Sequence, residues 1–87
     1  MSNEHENIFF FYIDTKIEVN KSPLTGLEIK TAIAAKVPFD VSHELVQEGH
    51  GSEQDKLIKD TDSVSLTHGH GDSPKHFYSR PPTNFGV

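Results

Sequence analysis

The residue types most suited to metal chemistry stand together in Thr67-His68-Gly69-His70-Gly71-Asp72. Two imidazoles and a carboxylate at alternate positions are ligands that hold zinc and let it polarise a water. His50 and His76 are available to complete such a set. A zinc centre also needs oriented, buried support behind its ligands, and a Gly-rich polar stretch supplies none of its own. The expectation is therefore a polar loop with incidental histidines, in which His68, His70 and Asp72 bind no metal and the chain carries no cofactor. Ser, His and Asp all occur, but without a nucleophile elbow or an oxyanion glycine motif to join them into a hydrolase. Gly49-His50-Gly51 is too short for a phosphate cradle and has no lysine at the needed spacing. None of these fragments completes a catalytic motif.

The other stretch able to support chemistry is His76–Val87. Phe77 and Tyr78 have high strand propensity, and Pro81 and Pro82 must end that strand because two rings remove two ladder donors. Thr83-Asn84-Phe85-Gly86-Val87 then projects as a tail. A strand that anchors a tail containing Gly86 points to the carboxyl end as the working part.

Composition narrows the classes further. The chain has 87 residues, no cysteine and a formal net charge of −5. That length allows one domain with a small core, and the missing thiols exclude disulfides, thiolate metal sites and a cysteine nucleophile. Its seven lysines and single arginine are scattered, so no basic face exists to displace counterions from nucleic acid. Residues 1–7 are polar and acidic, unlike the basic start of a signal peptide, and read as a disordered leader. Ile8–Ile13 is far too short to span a bilayer. A cytoplasmic protein without membrane or nucleic-acid partners is the expectation.

The elements that must position the tail follow in order. Ile8-Phe9-Phe10-Phe11-Tyr12-Ile13 and Ile17-Glu18-Val19-Asn20 form a β-hairpin. A two-residue loop at Asp14-Thr15 puts Tyr12 opposite Ile17 and Phe10 opposite Val19, whereas a three-residue loop puts Ile13 and Phe11 there; both registers are open. The first strand is apolar on both faces and the second on one. The Phe9, Phe10, Phe11, Tyr12 run therefore offers a surplus apolar surface, either for a partner or to be covered by the leader or by a homodimer contact.

Leu24-Thr25-Gly26-Leu27-Glu28-Ile29 opens a helix, with Thr25 as N-cap, Glu28 as its reciprocal partner and Leu24 against Ile29 as a staple. Ile29, Ala32, Ile33 and Val37 share a face, and Pro38 stops the helix after about three turns. A strand over His43–Gln47, a turn at Gly49–Ser52, a short strand at Lys56–Lys59 and a turn or single 3₁₀ turn over Asp60–Leu66 follow, the last pinned by Val64 and Leu66. Thr67–Lys75 is a loop before the final strand. This order fits an α+β β-grasp, a mixed sheet of four to five strands packed on one helix, with first and last strands parallel and adjacent. The chain divides into a leader over 1–7, a domain over 8–80 and a tail over 81–87.

Ile13-Asp14-x-Lys16, Leu24-Thr25-Gly26-x-Glu28-Ile29, Asp62-x-Val64-x-Leu66 and Phe77-Tyr78-Ser79-Arg80-Pro81-Pro82 resemble the ubiquitin-like proteins, most closely the bacterial multi-ubiquitin-domain type. The resemblance covers most of residues 8–87 through short matches. It departs from the family at Thr15, where a glycine is usual, and in the longer Thr67–Lys75 loop.

The resemblance implies a protein modifier that is not an enzyme and carries no catalytic apparatus of its own. A C-terminal glycine is adenylated by an activating enzyme, passed as a thioester to a conjugating enzyme, and joined to an amine of a target protein. Gly86 is the residue here that suits an acyl group threaded through a narrow channel, since it has no Cβ in the way. The usual terminal Gly-Gly is missing, with Phe85 before Gly86 and Val87 after it, so a JAB-type metallopeptidase would first cut Gly86–Val87. Arg80, Pro81, Pro82 and Phe85 are the implied tail-recognition residues. Bacterial relatives of this kind keep company with antiphage defence. The alternative is a non-covalent binding module of the same fold that uses its aromatic first strand. His68-x-His70-x-Asp72 also resembles the core motif of metallo-β-lactamase-fold hydrolases, but Ser73 replaces the next histidine and the chain is too short for that fold.

Overall fold

Antiparallel and parallel pairings converge on the first strand. The computed structural model describes residues 8–67 and 74–82. Strand β1 (Ile8–Tyr12) pairs antiparallel with β2 (Thr15–Val19) on one side and parallel with β7 (His76–Arg80) on the other. β4 (Glu44–Gln47) runs antiparallel to β7, and β5 (Lys56–Ile58) antiparallel to β4. The five-stranded mixed sheet thus has the order β2-β1-β7-β4-β5, and helix α1 (Gly26–Ala34) covers one face. This is the α+β, β-grasp-like arrangement expected, with the first and last strands side by side.

The hairpin adopts neither anticipated register. Tyr12 pairs with Thr15, Phe10 with Ile17 and Ile8 with Val19, so the two-residue loop is Ile13-Asp14. Placing Phe10 opposite Ile17 puts two enclosed side chains on the core face, where they are 0% and 2% exposed. The turn accommodates this by holding Ile13 at φ 57°. A β-branched residue is strained there because its Cβ crowds the carbonyl that follows. Ile13 is also 57% exposed, so little packing is lost by changing it. Ile13→Asn is expected to raise stability by about 1 kcal/mol, since asparagine tolerates the left-handed region; a urea midpoint no higher than that of the parent would contradict the assignment.

The helix start matches expectation. Thr25 Oγ1 accepts from the Glu28 N–H at 3.2 Å while Glu28 Oε1 accepts from the Thr25 N–H at 2.9 Å. The reciprocal cap satisfies two otherwise unpaired N–H groups, and the Thr25 bond together with Lys21 holds the Glu28 carboxyl below its ordinary range. The helix, nine residues long, is shorter than three turns, and Pro38, which lacks an N–H and disfavours helical geometry at the residue before it, prevents its continuation. The Ile33 carbonyl then accepts from both Lys36 and Val37, each at 2.9 Å, closing the end.

Leu24–Thr25 forms a short strand, β3, against Ser63–Val64, β6, so the Asp60–Leu66 segment is a turn followed by a strand rather than a turn throughout. The two residues on each side leave no periodicity to read. The core under α1 comprises Phe10, Ile17, Ile29, Ile33, Leu45 and Phe77, with Leu24, Ile58, Val64 and Leu66 around it. Phe10 and Phe77 meet edge to face at 5.3 Å between centroids.

Candidate functional site: the open face of the sheet

The face of the sheet away from α1 is built by alternation. Phe10 points into the core, so Phe9 and Phe11 point away from it, and strand pairing carries that side across the sheet. Phe11 stands beside His76, Val46 beside Tyr78 and Leu57, and Glu44 beside Arg80. Of the four aromatic residues expected to offer a partner surface, only Phe9 and Phe11 lie on this open side. Phe10 is fully enclosed in the core, and the Tyr12 hydroxyl bonds to Ser79 Oγ at 2.8 Å with its ring edge-on to Phe39.

The open-side groups form a continuous ordered strip. Phe9 and Phe11 meet edge to face at 5.8 Å, and Phe11 stacks on His76 at 5.1 Å with the planes 15° apart. Lys16 Nζ sits 4.5 Å above the Phe9 ring and 3.6 Å from Glu18. Further along, Val46 is only 3% exposed although it lies outside the core cluster; its sheet neighbours Tyr78 and Leu57 stand on the same side. The strip therefore combines rings, a small apolar centre and flanking charges. That composition suits protein recognition, in which rigid aromatic groups provide area at little entropic cost.

Two polar ties hold its far side. Tyr78 donates its hydroxyl proton to Asp55 Oδ2 at 2.6 Å, and Asp55 Oδ1 accepts from the Gly49 N–H at 2.8 Å. The Gly49 bond, followed by the Tyr78 bond, lowers the Asp55 pKa, and the bond to Asp55 raises that of Tyr78. Arg80 Nε donates to Glu44 Oε1 at 2.7 Å, fixing the last ladder residue before the exposed Pro81 and Pro82.

The signs fix a pH window. A carboxyl whose folded pKa is lowered contributes stability above its unfolded pKa and loses it as pH falls through the folded value. A phenol whose folded pKa is raised contributes below its unfolded pKa and loses it as pH rises through the folded value. The Asp55 to Tyr78 tie is therefore intact across neutral pH and weakens at both extremes. Tyr78→Phe is expected to flatten the alkaline decline in melting temperature while leaving most of the acid decline, to which the Gly49 bond to Asp55 and the capped Glu28 still contribute. An alkaline decline unchanged in the variant would refute the assignment.

No protein-family model matches the chain, and no curated protein and no solved structure matches it either.

His68, His70 and Asp72 lie outside the described residues, as do Phe85, Gly86 and Val87. Among the described residues, no three His, Asp or Glu side chains converge as a metal site, and no helix is long and apolar enough to cross a membrane. The strip includes His76, Tyr78, Asp55, Val46 and Lys16, none singled out from the sequence as part of the aromatic surface. The alternation in His76-Phe77-Tyr78-Ser79-Arg80 was the available signal: with Phe77 inward, His76, Tyr78 and Arg80 fall on the open side.

Proposed function

We propose that this chain is a ubiquitin-like protein modifier whose Gly86 carboxyl, freed by cleavage of the Gly86–Val87 bond, is joined to amines of target proteins. The observation that best supports the reading is the course of β7. It lies between β1 and β4, is tied to both, and leaves the sheet at Arg80 into two exposed prolines that cannot extend a ladder. A firmly held last strand followed by a segment unable to pair is a mechanical basis for presenting an acyl group to other proteins.

A JAB-type metallopeptidase hydrolyses the Gly86–Val87 amide. An activating enzyme couples the Gly86 carboxylate to the α-phosphate of ATP and releases pyrophosphate. A cysteine thiolate displaces AMP to form a thioester, which passes to a conjugating enzyme, and a target amine finally displaces that thiolate to give an amide. None of these steps asks for a catalytic group from this chain. In this reading Arg80, Pro81, Pro82 and Phe85 guide the tail, the Phe9, Phe11 and His76 strip docks the enzymes, and the setting is cytoplasmic. A part in bacterial antiphage defence belongs to the same proposal.

The specific ordering of the open strip also favours a second reading, in which that face binds a partner non-covalently and the tail is passive. Gly86→Asp separates the two. It is expected to abolish attachment to targets when the chain is incubated with ATP and the peptidase, activating and conjugating enzymes of its native host, because a side chain would block the channel at the reacting carbonyl. Attachment that persists in the variant would overturn the modifier reading. Loss of binding in a Phe9→Ala/Phe11→Ala variant, for a parent chain that never becomes attached, would instead establish the binding module.

A further inference from the structure

The sheet ends at β2 on one side and β5 on the other. β5 has only three residues, while β2 has five. Counting from the Tyr12 and Thr15 pair that closes the hairpin, the backbone groups of Thr15, Ile17 and Val19 face β1, and those of Lys16 and Glu18 face outward. Among the described residues neither has a backbone partner on that outer side. An apolar groove of about 610 Å³ runs beside this edge, between β2 and α1, with Val19, Leu24, Leu27 and Ala32 among its lining residues. An unpaired ladder next to an apolar groove is a place for another strand to add.

We propose that this edge pairs antiparallel with the same edge of a second copy of the chain, about a two-fold axis through Ile17. The charge pattern selects a second copy as the occupant. Lys16 and Glu18 lie on the same face, both well exposed, 3.6 Å apart within one chain. The two-fold sets Lys16 opposite Glu18 of the second copy, and Glu18 opposite its Lys16. One local ion pair thereby becomes two cross-strand pairs of opposite charge. Charged edge residues ordinarily prevent such pairing, but this alternation is complementary to itself.

The backbone obeys the same symmetry. Lys16 and the second copy's Glu18 both direct their N–H and C=O groups outward, so they exchange both hydrogen bonds, and the reciprocal pair does the same. Ile17 faces Ile17 between them as a non-hydrogen-bonded pair. An axis perpendicular to the sheet keeps both helices on one side and brings the two grooves together at the seam. The open strips of both copies share the other side, and each β7 exit stays clear. The contact is isologous and closes as a dimer.

Sedimentation velocity over a concentration series, with the full chain, tests the pairing. The expected result is a reversible monomer to dimer equilibrium. Lys16→Glu turns both cross-strand pairs into like charges and should weaken it roughly tenfold. Lys16→Glu/Glu18→Lys should restore it. In a mixed-isotope sample, an inter-chain Overhauser contact between the two Ile17 α-protons is expected. A chain that stays monomeric at its highest soluble concentration, even if it captures a foreign peptide strand, overturns the proposal. So does a dimer indifferent to both variants, or one without the Ile17 contact.

Discussion

Phe77→Ala is expected to cost about 3–5 kcal/mol of folding free energy, the range for truncating a buried aromatic ring. Phe77 is fully enclosed and its ring meets Phe10 edge to face at 5.3 Å. The loss combines the transfer of the ring to water with a cavity on the core face of the central strand β7, beneath α1. A domain of this size has only about 5–10 kcal/mol in total, so the variant should be partly unfolded at physiological temperature. Phe11→Ala provides the contrast. Its ring lies on the open side against His76 and Phe9, and its removal leaves no enclosed void, so a loss of about 1 kcal/mol is expected. Urea melts in which Phe11→Ala costs as much as Phe77→Ala would contradict the placing of Phe77 in the core and Phe11 on the open side.

Gly26→Ala should be damaging out of proportion to one methyl group. Gly26 is the first helical residue, and a Cβ there would come within 2.1 Å of the Lys59 carbonyl oxygen and 2.9 Å of its carbon. Both obstacles are backbone and cannot rotate away. The Lys59–Asp62 turn is held against the helix because Gly26 donates to the Asp62 carbonyl at 2.9 Å and Leu27 to the Asp60 carbonyl at 3.1 Å. These bonds satisfy two of the four N–H groups that any helix start leaves open. Within the turn, Asp62 Oδ2 accepts from the Lys59 N–H and the Asp62 N–H bonds back to the Lys59 carbonyl. The nearly buried Lys30 adds a further clasp through Asp60 at 2.9 Å. Making room for the methyl means moving this whole assembly, at about 2–3 kcal/mol, the usual cost of overpacking. A circular-dichroism melt within a degree or two of the parent would show the turn to be looser than described.

The strong local signals are legible in the sequence, and so is the parallel adjacency of the first and last strands, which the order of elements implies. The capping box at Thr25 and Glu28 and the prolines after Arg80 depend on residues within four positions of each other, so they were legible. The hairpin loop was misplaced because Asp14 and Thr15 look like turn residues, while Ile13 does not. The register was set instead by Phe10 facing Ile17 over the core, and by the parallel pairing of Phe11 with His76. The open face was half visible for the same reason. Three consecutive phenylalanines announce a surplus of apolar surface, but which of them face outward depends on that register. The Tyr78 to Asp55 bond joins residues far apart in sequence that only the β4 and β5 pairings bring together.

Mass spectrometry of tryptic peptides from the native host tests the central claim most directly. Trypsin cuts after Lys75 and is stopped at Arg80 by the proline that follows it. A target lysine joined to Gly86 would therefore carry the branch His76–Gly86. The account predicts that branched peptide, together with free chains lacking Val87. Free chains that always retain Val87, with no lysine in the proteome bearing the branch, would contradict it.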